Sequence, residues 1–374
     1  MFSITNFKRM EEIRIISDGK VLSNVYSGTG LAGIVKYLAG YRKVFIICDA
    51  AVVRYGSLIQ DAAKAAGINV VDLQSVTISE TDKSIYTVLG ICEWLMGHNA
   101  DRNDMLLSVG GGITTDMGGF AACIFKRGIH FAYVPTTLLS QVDAAIGGKT
   151  GVNFGDYKNM LGIIRQPDFT YECQEVLTTL PRRDFNSGAA EMLKTFIIED
   201  NGWYEKAVTL LSSLNSATKR QDLLKSLKEE VQELIAAAAS VKAGVVSRDQ
   251  FESGERRKLN LGHTFAHAIE SEAFKREMDI THGEAVAMGI IMAAQLSEKL
   301  GLAKDLSDRM TEEFIACGLP TAAPFALTDL AEAMGKDKKA EGEVVHFILP
   351  VRVGEVVEKD LRVEEVVELL KDVK

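Results

Sequence analysis

The chain is poor in cysteine and has no cysteine pair with a metal-binding spacing. Its five cysteines are scattered along 374 residues without a CxxC motif: Cys48, Cys92, Cys123, Cys173 and Cys317. An odd number of scattered cysteines is typical of a reducing compartment. The pattern therefore argues against a zinc site built from cysteines.

Long apolar runs and an excess of basic residues are also missing. The apolar stretch at 285–294 is far too short to span a bilayer, and the N-terminal sequence MFSITNFKRMEEIRI does not resemble a signal peptide. The net charge of −9 gives no basic field for nucleic acid or anionic lipid, although a local Lys/Arg cluster could bind a small anion. We therefore expect a cytoplasmic protein without nucleic-acid or membrane partners.

The length and the periodicity of apolar residues predict two domains. A chain of 374 residues exceeds the usual size of one hydrophobic core. Up to about Leu180, short apolar strands alternate with helical patterns, which favours a parallel sheet covered by helices. Beyond Leu180, helical periodicity predominates, over 186–198, 203–214, 223–243, 263–274, 283–300 and 306–317. A strand at 344–349 and a helix at 361–373 are expected to close the chain.

Two glycine-rich stretches could bind a phosphate group. GTGLAG, at 28–33, matches GxGxxG formally, but its glycines could equally turn the chain into a short helix. Gly110-Gly111-Gly112 directly follows the apolar strand predicted at 105–109. Glycine lets backbone N–H groups approach a pyrophosphate closely, so this second turn is the better candidate.

The window 259–284 contains three of the six histidines: His263, His267 and His282. The i, i+4 spacing of the first two puts both imidazoles on one helix face, which is typical of helical zinc sites. The alternative is that both pack on an amphipathic helix. Spacing alone does not identify a third ligand. Two other segments also allow more than one interpretation. In 187–194, Glu191 and Lys194 share one helix face, and Glu191 is either a buried ligand or an ordinary surface residue. The polar segment 138–162 is either a solvated loop or an active-site loop.

Six motifs together resemble the 3-dehydroquinate synthase family of sugar-phosphate cyclases, and their matches run in order from about Asp49 to Lys339. The motifs are GGGITTDMGGFAACIFKRG, VPTTLLSQVDAAIGGKTGVN, YKNMLG, LPRRDFNSGAAEMLK, ERRKLNLGHTFAHAIE and THGEAVAMG. The resemblance implies an α/β fold with a Rossmann-like parallel-sheet domain at 1–178. A mainly α-helical domain would follow at 179–374, with the active site in the cleft between them. It also implies NAD, zinc (or Co2+) and a homodimer.

The resemblance assigns roles to particular residues. The metal ligands would be Glu191, His263 and His282, so His267 would contact substrate instead, and GTGLAG would not bind the pyrophosphate. The residues that match cofactor contacts are Asp49, Glu80, Lys83, Gly110, Gly111, Asp116, Thr136, Thr137, Asp143, Lys149, Lys158 and Thr179. The residues that match catalytic or substrate-binding positions are Arg127, Asp143, Lys149, Asn159, Lys194, Lys242, Arg256, Asn260, His267 and Lys338.

The implied reaction converts 3-deoxy-D-arabino-heptulosonate 7-phosphate, an anionic sugar phosphate, to 3-dehydroquinate and phosphate in the shikimate pathway. NAD oxidises one carbinol transiently, phosphate leaves by β-elimination, the hydride returns, and ring opening is followed by an intramolecular aldol reaction. The chain departs from the family pattern at three positions: the family usually has Asn in place of Ala51, Gly in place of Thr115 and Asn in place of Ser187. These departures bear on cofactor affinity more than on activity. Open alternatives are another sugar-phosphate cyclase, an alcohol dehydrogenase of the glycerol dehydrogenase type, and a non-enzymatic zinc-stabilised binding protein.

Overall fold

The computed structural model describes residues 12–28, 30–155, 157–336 and 344–372. The chain divides into two compact units. Unit 1 comprises the residues up to Leu180 together with Lys225–Phe251, and unit 2 comprises Pro181–Leu224 and the chain from Glu252 onward. The predicted α/β fold with a parallel sheet is confirmed, and the division at 178/179 stays a prediction.

The described residues form eleven strands and thirteen α-helices. The strands are β1 (Glu12–Ser17), β2 (Lys20–Gly28), β3 (Val44–Asp49), β4 (Val70–Val76), β5 (Met105–Gly110), β6 (His130–Pro135), β7 (Lys149–Phe154), β8 (Tyr157–Ile164), β9 (Phe169–Cys173), β10 (Val344–Arg352) and β11 (Glu355–Arg362). The helices are α1 (Val35–Leu38), α2 (Val53–Ala65), α3 (Ile85–Gly97), α4 (Gly112–Ile124), α5 (Arg182–Ile198), α6 (Tyr204–Ser216), α7 (Arg220–Ser226), α8 (Lys228–Arg248), α9 (His263–Lys275), α10 (His282–Lys299), α11 (Leu306–Ala316), α12 (Leu327–Lys336) and α13 (Val363–Leu370).

Unit 1 is built on a seven-stranded sheet with the order β1-β2-β9-β6-β5-β3-β4. The β1–β2 pair is antiparallel and the other pairs are parallel. Strands β3, β5 and β6 are buried almost throughout, which explains why their sequences are largely apolar without alternation. Side chains of α3 and α4 complete the core against this sheet.

Three predictions from the sequence are corrected by the structure. The polar segment at 138–162 contains β7 and most of β8, which pair as an antiparallel hairpin, so it is not simply a loop. The helix predicted at 223–243 is interrupted at Leu227, between α7 and α8. The helix predicted from residue 361 begins only at Val363, because the preceding residues pair with β10 as strand β11.

Unit 2 surrounds α10 with other elements. Helices α5, α9 and α11 contact it on several sides, and so do β10 and α13. The sequence of α10 is accordingly apolar on most of its faces, with Ala, Val, Met and Ile predominating. No helix among the described residues combines the length and hydropathy that a membrane span requires.

Glu172 of β9 is a buried acid in unit 1. It is fully buried, and neither carboxylate oxygen has a hydrogen-bond partner among the described residues. Burial raises the pKa of this carboxyl well above its ordinary value. The folded state therefore holds the proton more tightly than the unfolded chain, so stability decreases as pH rises from the unfolded pKa towards the folded one.

Glu172→Gln is expected to raise the denaturant midpoint at pH 7–8, because the amide carries no charge to bury. The gain should grow by about 1.4 kcal/mol for each pH unit between the unfolded and the folded pKa of Glu172 and level off above the folded pKa. The measurement is chemical unfolding of both proteins between pH 4 and 9, with the exposed Glu93→Gln as the matched control. An identical loss of stability with pH in the wild type and in Glu172→Gln would contradict this account.

Candidate active site

Three helices of unit 2 bring the predicted metal ligands together. Glu191 lies in the middle of α5, whereas His263 and His282 are the first residues of α9 and α10. Gly262 has a φ of +76°, in the left-handed region that glycine adopts without a Cβ penalty. This sharp turn allows α9 to begin at the histidine itself.

Two close backbone contacts set the spacing of these helices. A Cβ atom on Gly283 would lie 2.2 Å from the carbonyl oxygen of Ser187, so α10 touches α5 one turn before Glu191. A Cβ atom on Gly289 would lie 2.2 Å from the carbonyl oxygen of Gly262, so α10 also touches the turn that begins α9. Glycine at these positions lets the three ligand-bearing segments approach one another.

Hydrogen bonds hold the first turn of α10 against α5. Ser187 Oγ accepts the N–H of Gly283 at 3.0 Å. Arg183 donates to both carboxylate oxygens of Glu284 at 2.8 Å, and Glu284 also closes the capping box of α10. His282 therefore lies within an anchored turn. The departure at Ser187 thus has a direct structural role.

The three ligand atoms lie within 4.8 Å of one another. Glu191 Oε1 is 3.3 Å from His282 Nε2 and 3.8 Å from His263 Nε2. The Glu191 side chain is fully buried, while those of His263 and His282 are 14% and 34% exposed. One carboxylate and two imidazoles are the ligands of a common class of catalytic zinc site, in which a further position stays open to water or substrate.

The outer atoms of Glu191 and His263 are also engaged. Lys194 Nζ lies 2.5 Å from Glu191 Oε2. His263 Nδ1 is 3.1 Å from the carbonyl oxygen of Leu261, which can accept a hydrogen bond from it. The lone pair of the unprotonated Nε2 then remains available to a metal ion. A carbonyl or carboxylate at the second ring nitrogen is the usual arrangement for a metal-binding histidine.

Burial and neighbouring charges set the protonation states of the three ligand residues. Burial raises the pKa of Glu191, but Lys194, His282 and His263 together lower it well below its ordinary value, so this group is a carboxylate. Burial and the Lys194 ammonium lower the pKa of His263 to about 3, so its imidazole is neutral. Burial opposes the charge on His282, yet its carboxylate neighbours raise the pKa to about 10. A divalent cation binding here would displace that proton.

His267 does not join the three ligand residues. Its ring centroid lies 5.6 Å from that of His263, one turn along α9, and its side chain is exposed. The ligand pair suggested by the i, i+4 spacing is therefore not the group that the structure assembles. The partner of His263 comes from the start of another helix.

The glycine turn in unit 1 lies at the carboxyl ends of adjacent parallel strands. Gly110 ends β5, Thr136 follows β6 and donates its N–H to the Gly110 carbonyl at 2.8 Å, and Asp49 ends β3. Ligands of parallel α/β sheets bind at this edge. Thr115 lies in the first turn of α4, and its hydroxyl donates a hydrogen bond to the Gly112 carbonyl of the same helix at 2.9 Å. This departure therefore leaves the turn open.

The GTGLAG segment has another use. Cβ atoms on Gly28 and Gly33 would lie 1.9 and 2.3 Å from Tyr171 Oη, so both glycines make room for this ring. The Leu31 N–H, which a phosphate could have bound, donates to the Glu175 carboxylate at 3.1 Å. These glycines therefore serve packing, which agrees with the implication that the segment is not a pyrophosphate loop.

Lys83 contacts both Asp116, which matches a cofactor contact, and Asn159, which matches a substrate contact. Its Nζ lies 2.7 Å from Asp116 Oδ2 and 2.5 Å from Asn159 Oδ1, and the lysine is 7% exposed. Burial raises the pKa of Asp116 to about 6, although Lys83 acts in the opposite direction. Asp116 begins to lose its negative charge in mildly acidic solution, and with it part of its attraction for Lys83.

Sequence reasoning missed two residues that hold predicted ones. Asn153 accepts the N–H of Asn159 at 2.9 Å and donates to Glu80 Oε1 at 2.8 Å, so it links two residues that match cofactor or substrate contacts. Glu252 Oε1 accepts a hydrogen bond from Asn260 at 2.9 Å. Asn153 lies inside a motif and could have been considered on that ground, whereas nothing in the sequence distinguishes Glu252.

The remaining predicted residues lie in different surroundings. Lys242 Nζ contacts Asp143 Oδ1 at 2.5 Å, and Arg256 is 2% exposed. Thr179 Oγ1 is 2.8 Å from Tyr55 Oη. The side chains of Lys149 and Lys158 are exposed on the β7–β8 hairpin, and Lys338 lies outside the described residues.

Arg127 is not brought to the glycine turn. It lies beyond the C-terminal end of α4, is exposed, and has a φ of +66°. The glycine turn precedes the opposite end of this helix. Since α4 has 13 residues, the two ends are about 20 Å apart.

The fold matches solved structures of sugar-phosphate cyclases over nearly their whole length. ValA, a 2-epi-5-epi-valiolone synthase from Streptomyces hygroscopicus subsp. jinggangensis 5008, is 24% identical, with a TM-score of 0.81 over 99% of this chain and 98% of that one. A 2-deoxy-scyllo-inosose synthase is 23% identical, with a TM-score of 0.79 over 96% and 99%. A probable glycerol dehydrogenase from Sinorhizobium meliloti 1021 is more distant, with a TM-score of 0.61 at 16% identity, covering 94% and 95%. The chain thus has the fold of the sugar-phosphate cyclases.

Sequence comparison is more specific. The family profile described as "3-dehydroquinate synthase N-terminal" matches residues 74–187, and "3-dehydroquinate synthase C-terminal" matches 188–340. A 3-dehydroquinate synthase from Solibacter usitatus (strain Ellin6076) is 40% identical over 341 residues, 88% of this chain and 91% of that protein. Another, from Synechocystis sp. (strain ATCC 27184 / PCC 6803 / Kazusa), is 36% identical over 345 residues, 90% and 93% of the two chains. The chain belongs to the 3-dehydroquinate synthase family of enzymes.

Proposed function

We propose that this chain converts 3-deoxy-D-arabino-heptulosonate 7-phosphate into 3-dehydroquinate and phosphate. The observation that carries the proposal is the group of Glu191, His263 and His282, brought together by three helices in a chain of this family. The donor set is that of a catalytic rather than a closed structural zinc site. A zinc-stabilised scaffold would need a fourth protein ligand, and none is part of the group formed by the described residues.

The proposed cofactors are NAD and one divalent metal ion, zinc or cobalt. The ValA structure has NAD+ and Zn2+ bound, and the 2-deoxy-scyllo-inosose synthase structure is complexed with NAD+ and Co2+. In this chain Glu191, His263 and His282 would hold the cation. The cation supplies Lewis acidity towards substrate hydroxyls, and NAD supplies a reversible hydride acceptor.

The NAD site would lie along the glycine turn of unit 1. Backbone N–H groups at Gly111 and the start of α4 face the carboxyl edge of the sheet, where a pyrophosphate is favoured. Asp49 ends the neighbouring strand, the usual location of a ribose-binding acid. The paired Lys83 and Asp116 would border the same site. The other proposed cofactor contacts are Glu80, Gly110, Thr136, Thr137, Asp143, Lys149, Lys158 and Thr179.

Buried cations support an anionic substrate. Lys194, Lys242 and Arg256 are 1%, 6% and 2% exposed, although lysine and arginine rarely lose contact with water completely. Each lysine lies beside a carboxylate, Glu191 or Asp143 respectively, which fixes its position. Arg suits planar carboxylate or phosphate groups, and Lys supplies a compact charge. The other proposed substrate or catalytic residues are Arg127, Lys149, Asn159, Asn260, His267 and Lys338.

The proposal also includes a cytoplasmic homodimer. The cytoplasmic location is supported by the five free cysteines, which a reducing compartment preserves. The homodimer follows from the family resemblance.

The test of the proposed function is to incubate the purified protein with Zn2+, a catalytic amount of NAD and the heptulosonate 7-phosphate. Phosphate and 3-dehydroquinate should form in equal amounts without net NADH, because the hydride returns to the product. Glucose 6-phosphate and glycerol serve as alternative substrates in parallel reactions. Inertness towards the heptulosonate, or stoichiometric NADH from glycerol, would contradict the proposal.

A further inference from the structure

Glu270 lies beside the metal-binding group without belonging to it. It is on α9, seven residues after His263, so the two side chains share one face of the helix two turns apart. Its Oε1 is 3.5 Å from His282 Nδ1, and its side chain is 16% exposed. The other ring nitrogen, Nε2, is 3.3 Å from Glu191. The His282 imidazole therefore has one carboxylate at each nitrogen.

The two ring nitrogens of His282, Nδ1 and Nε2, have different chemical roles in a metal-binding imidazole. Nε2 lies 3.3 Å from Glu191 Oε1, so it is the nitrogen that would share a cation with this carboxylate. A neutral imidazole that binds metal through Nε2 carries its proton on Nδ1, and that proton needs an acceptor. Glu270 supplies a negatively charged one. A partner of this kind fixes the tautomer and ring orientation and makes the metal-binding nitrogen more basic.

We propose that Glu270 is a positioning residue for the metal site, which accepts the Nδ1 proton of His282 and directs Nε2 at the bound divalent cation. The proposal rests on the proposed function for the presence of that cation. α9 then contributes twice: His263 is a ligand, and Glu270 orients a ligand that belongs to α10. The partner of His263 is the backbone carbonyl of Leu261, which substitution cannot remove. Of the partners of the two ligand histidines, Glu270 is accordingly the one that mutagenesis can test.

Two variants separate charge from hydrogen bonding. Glu270→Gln keeps an acceptor oxygen at the same reach and loses the charge, whereas Glu270→Ala loses both. We expect the zinc dissociation constant to rise about 10-fold in the first variant and up to about 100-fold in the second. The measurement is chelator competition on metal-free protein, with the visible absorption bands of the Co2+-loaded proteins as a second readout. A shift of these bands in Glu270→Ala would report a changed orientation of His282.

Glu272→Gln is the matched control. Glu272 is on the same helix and 5% exposed, but its carboxylate contacts Lys275 and Arg276 rather than the metal group. This variant should lose stability and keep the zinc affinity of the wild type. Zinc affinities within twofold of wild type in both Glu270 variants, with unchanged Co2+ bands, would overturn the proposed role of Glu270. This outcome would leave the proposed metal cofactor standing. A wild-type protein that binds no metal would overturn both this role and the proposed metal cofactor.

Discussion

Glu191→Gln is expected to remove the divalent metal and to reduce turnover by more than the 10- to 100-fold typical of losing an outer partner of a metal ligand. The glutamine preserves the length of the side chain, but it replaces the only carboxylate of the three-residue group with a neutral amide. It also removes the negative charge between His263 and His282. A cation would then be left with two imidazoles and no anionic ligand from the group.

Glutamine is preferable to alanine at this position because of Lys194. The Lys194 ammonium is 1% exposed and lies 2.5 Å from Glu191 Oε2. Truncation to alanine would leave a buried cation without its carboxylate, which typically destabilises a protein by about 3–5 kcal/mol. Glu191→Ala could therefore lose activity by unfolding. Glu191→Gln, with its amide oxygen still beside Lys194, tests metal binding more directly.

The measurements for Glu191→Gln are zinc content after dialysis and the rate of phosphate release. Glu172→Gln is the matched control, because it makes the same substitution at a fully buried glutamate in unit 1. The control should bind one zinc per chain and keep its activity. Wild-type zinc content in Glu191→Gln would exclude Glu191 as a ligand.

Gly283→Ala should damage the same site without changing any ligand. The new methyl group would lie 2.2–2.5 Å from the backbone of Ser187, so α10 and α5 would have to separate. The movement would carry His282 away from Glu191, which is 3.3 Å distant. Overpacking of this kind destabilises by about 1–3 kcal/mol, and a displacement of about 1 Å can reduce a rate 100-fold.

Zinc affinity, melting temperature and phosphate release of Gly283→Ala would be compared with those of Gly90→Ala. Gly90 is on α3, and a Cβ atom there would meet nothing within 4 Å. The control should be stabilised by about 0.5–1 kcal/mol, as is usual for glycine to alanine within a helix. Unchanged zinc affinity in a folded Gly283→Ala protein would show that this backbone contact does not position His282.

The sheet of unit 1 could be predicted where the sequence directly reflects burial. Strand β5 is largely apolar because it is buried along its whole length, and the strand predicted at 105–109 differs from it by one residue. The β7–β8 hairpin was missed because β8 is mostly exposed, so its sequence does not alternate between apolar and polar residues. β11 was missed because its pairing with β10, rather than its own pattern, makes it a strand.

The candidate site illustrates a different limit. The window at 259–284 indicated a metal site, but spacing along one helix favoured His263 with His267. The structure instead places His282 and Glu191 beside His263, through the contacts that Gly283 and Gly289 make with other helices. Such contacts leave no periodic signal in a single sequence. Only the family resemblance connected Glu191 with the two histidines.

The most direct test of a metal-dependent cyclase is to restore zinc to metal-free protein while phosphate release from the heptulosonate 7-phosphate is measured with catalytic NAD. We predict no activity without metal, a linear recovery that saturates at one zinc per chain, no net NADH, and no recovery in Glu191→Gln. Full phosphate release by the chelated, metal-free protein, or equal recovery in the wild type and Glu191→Gln, would contradict the account.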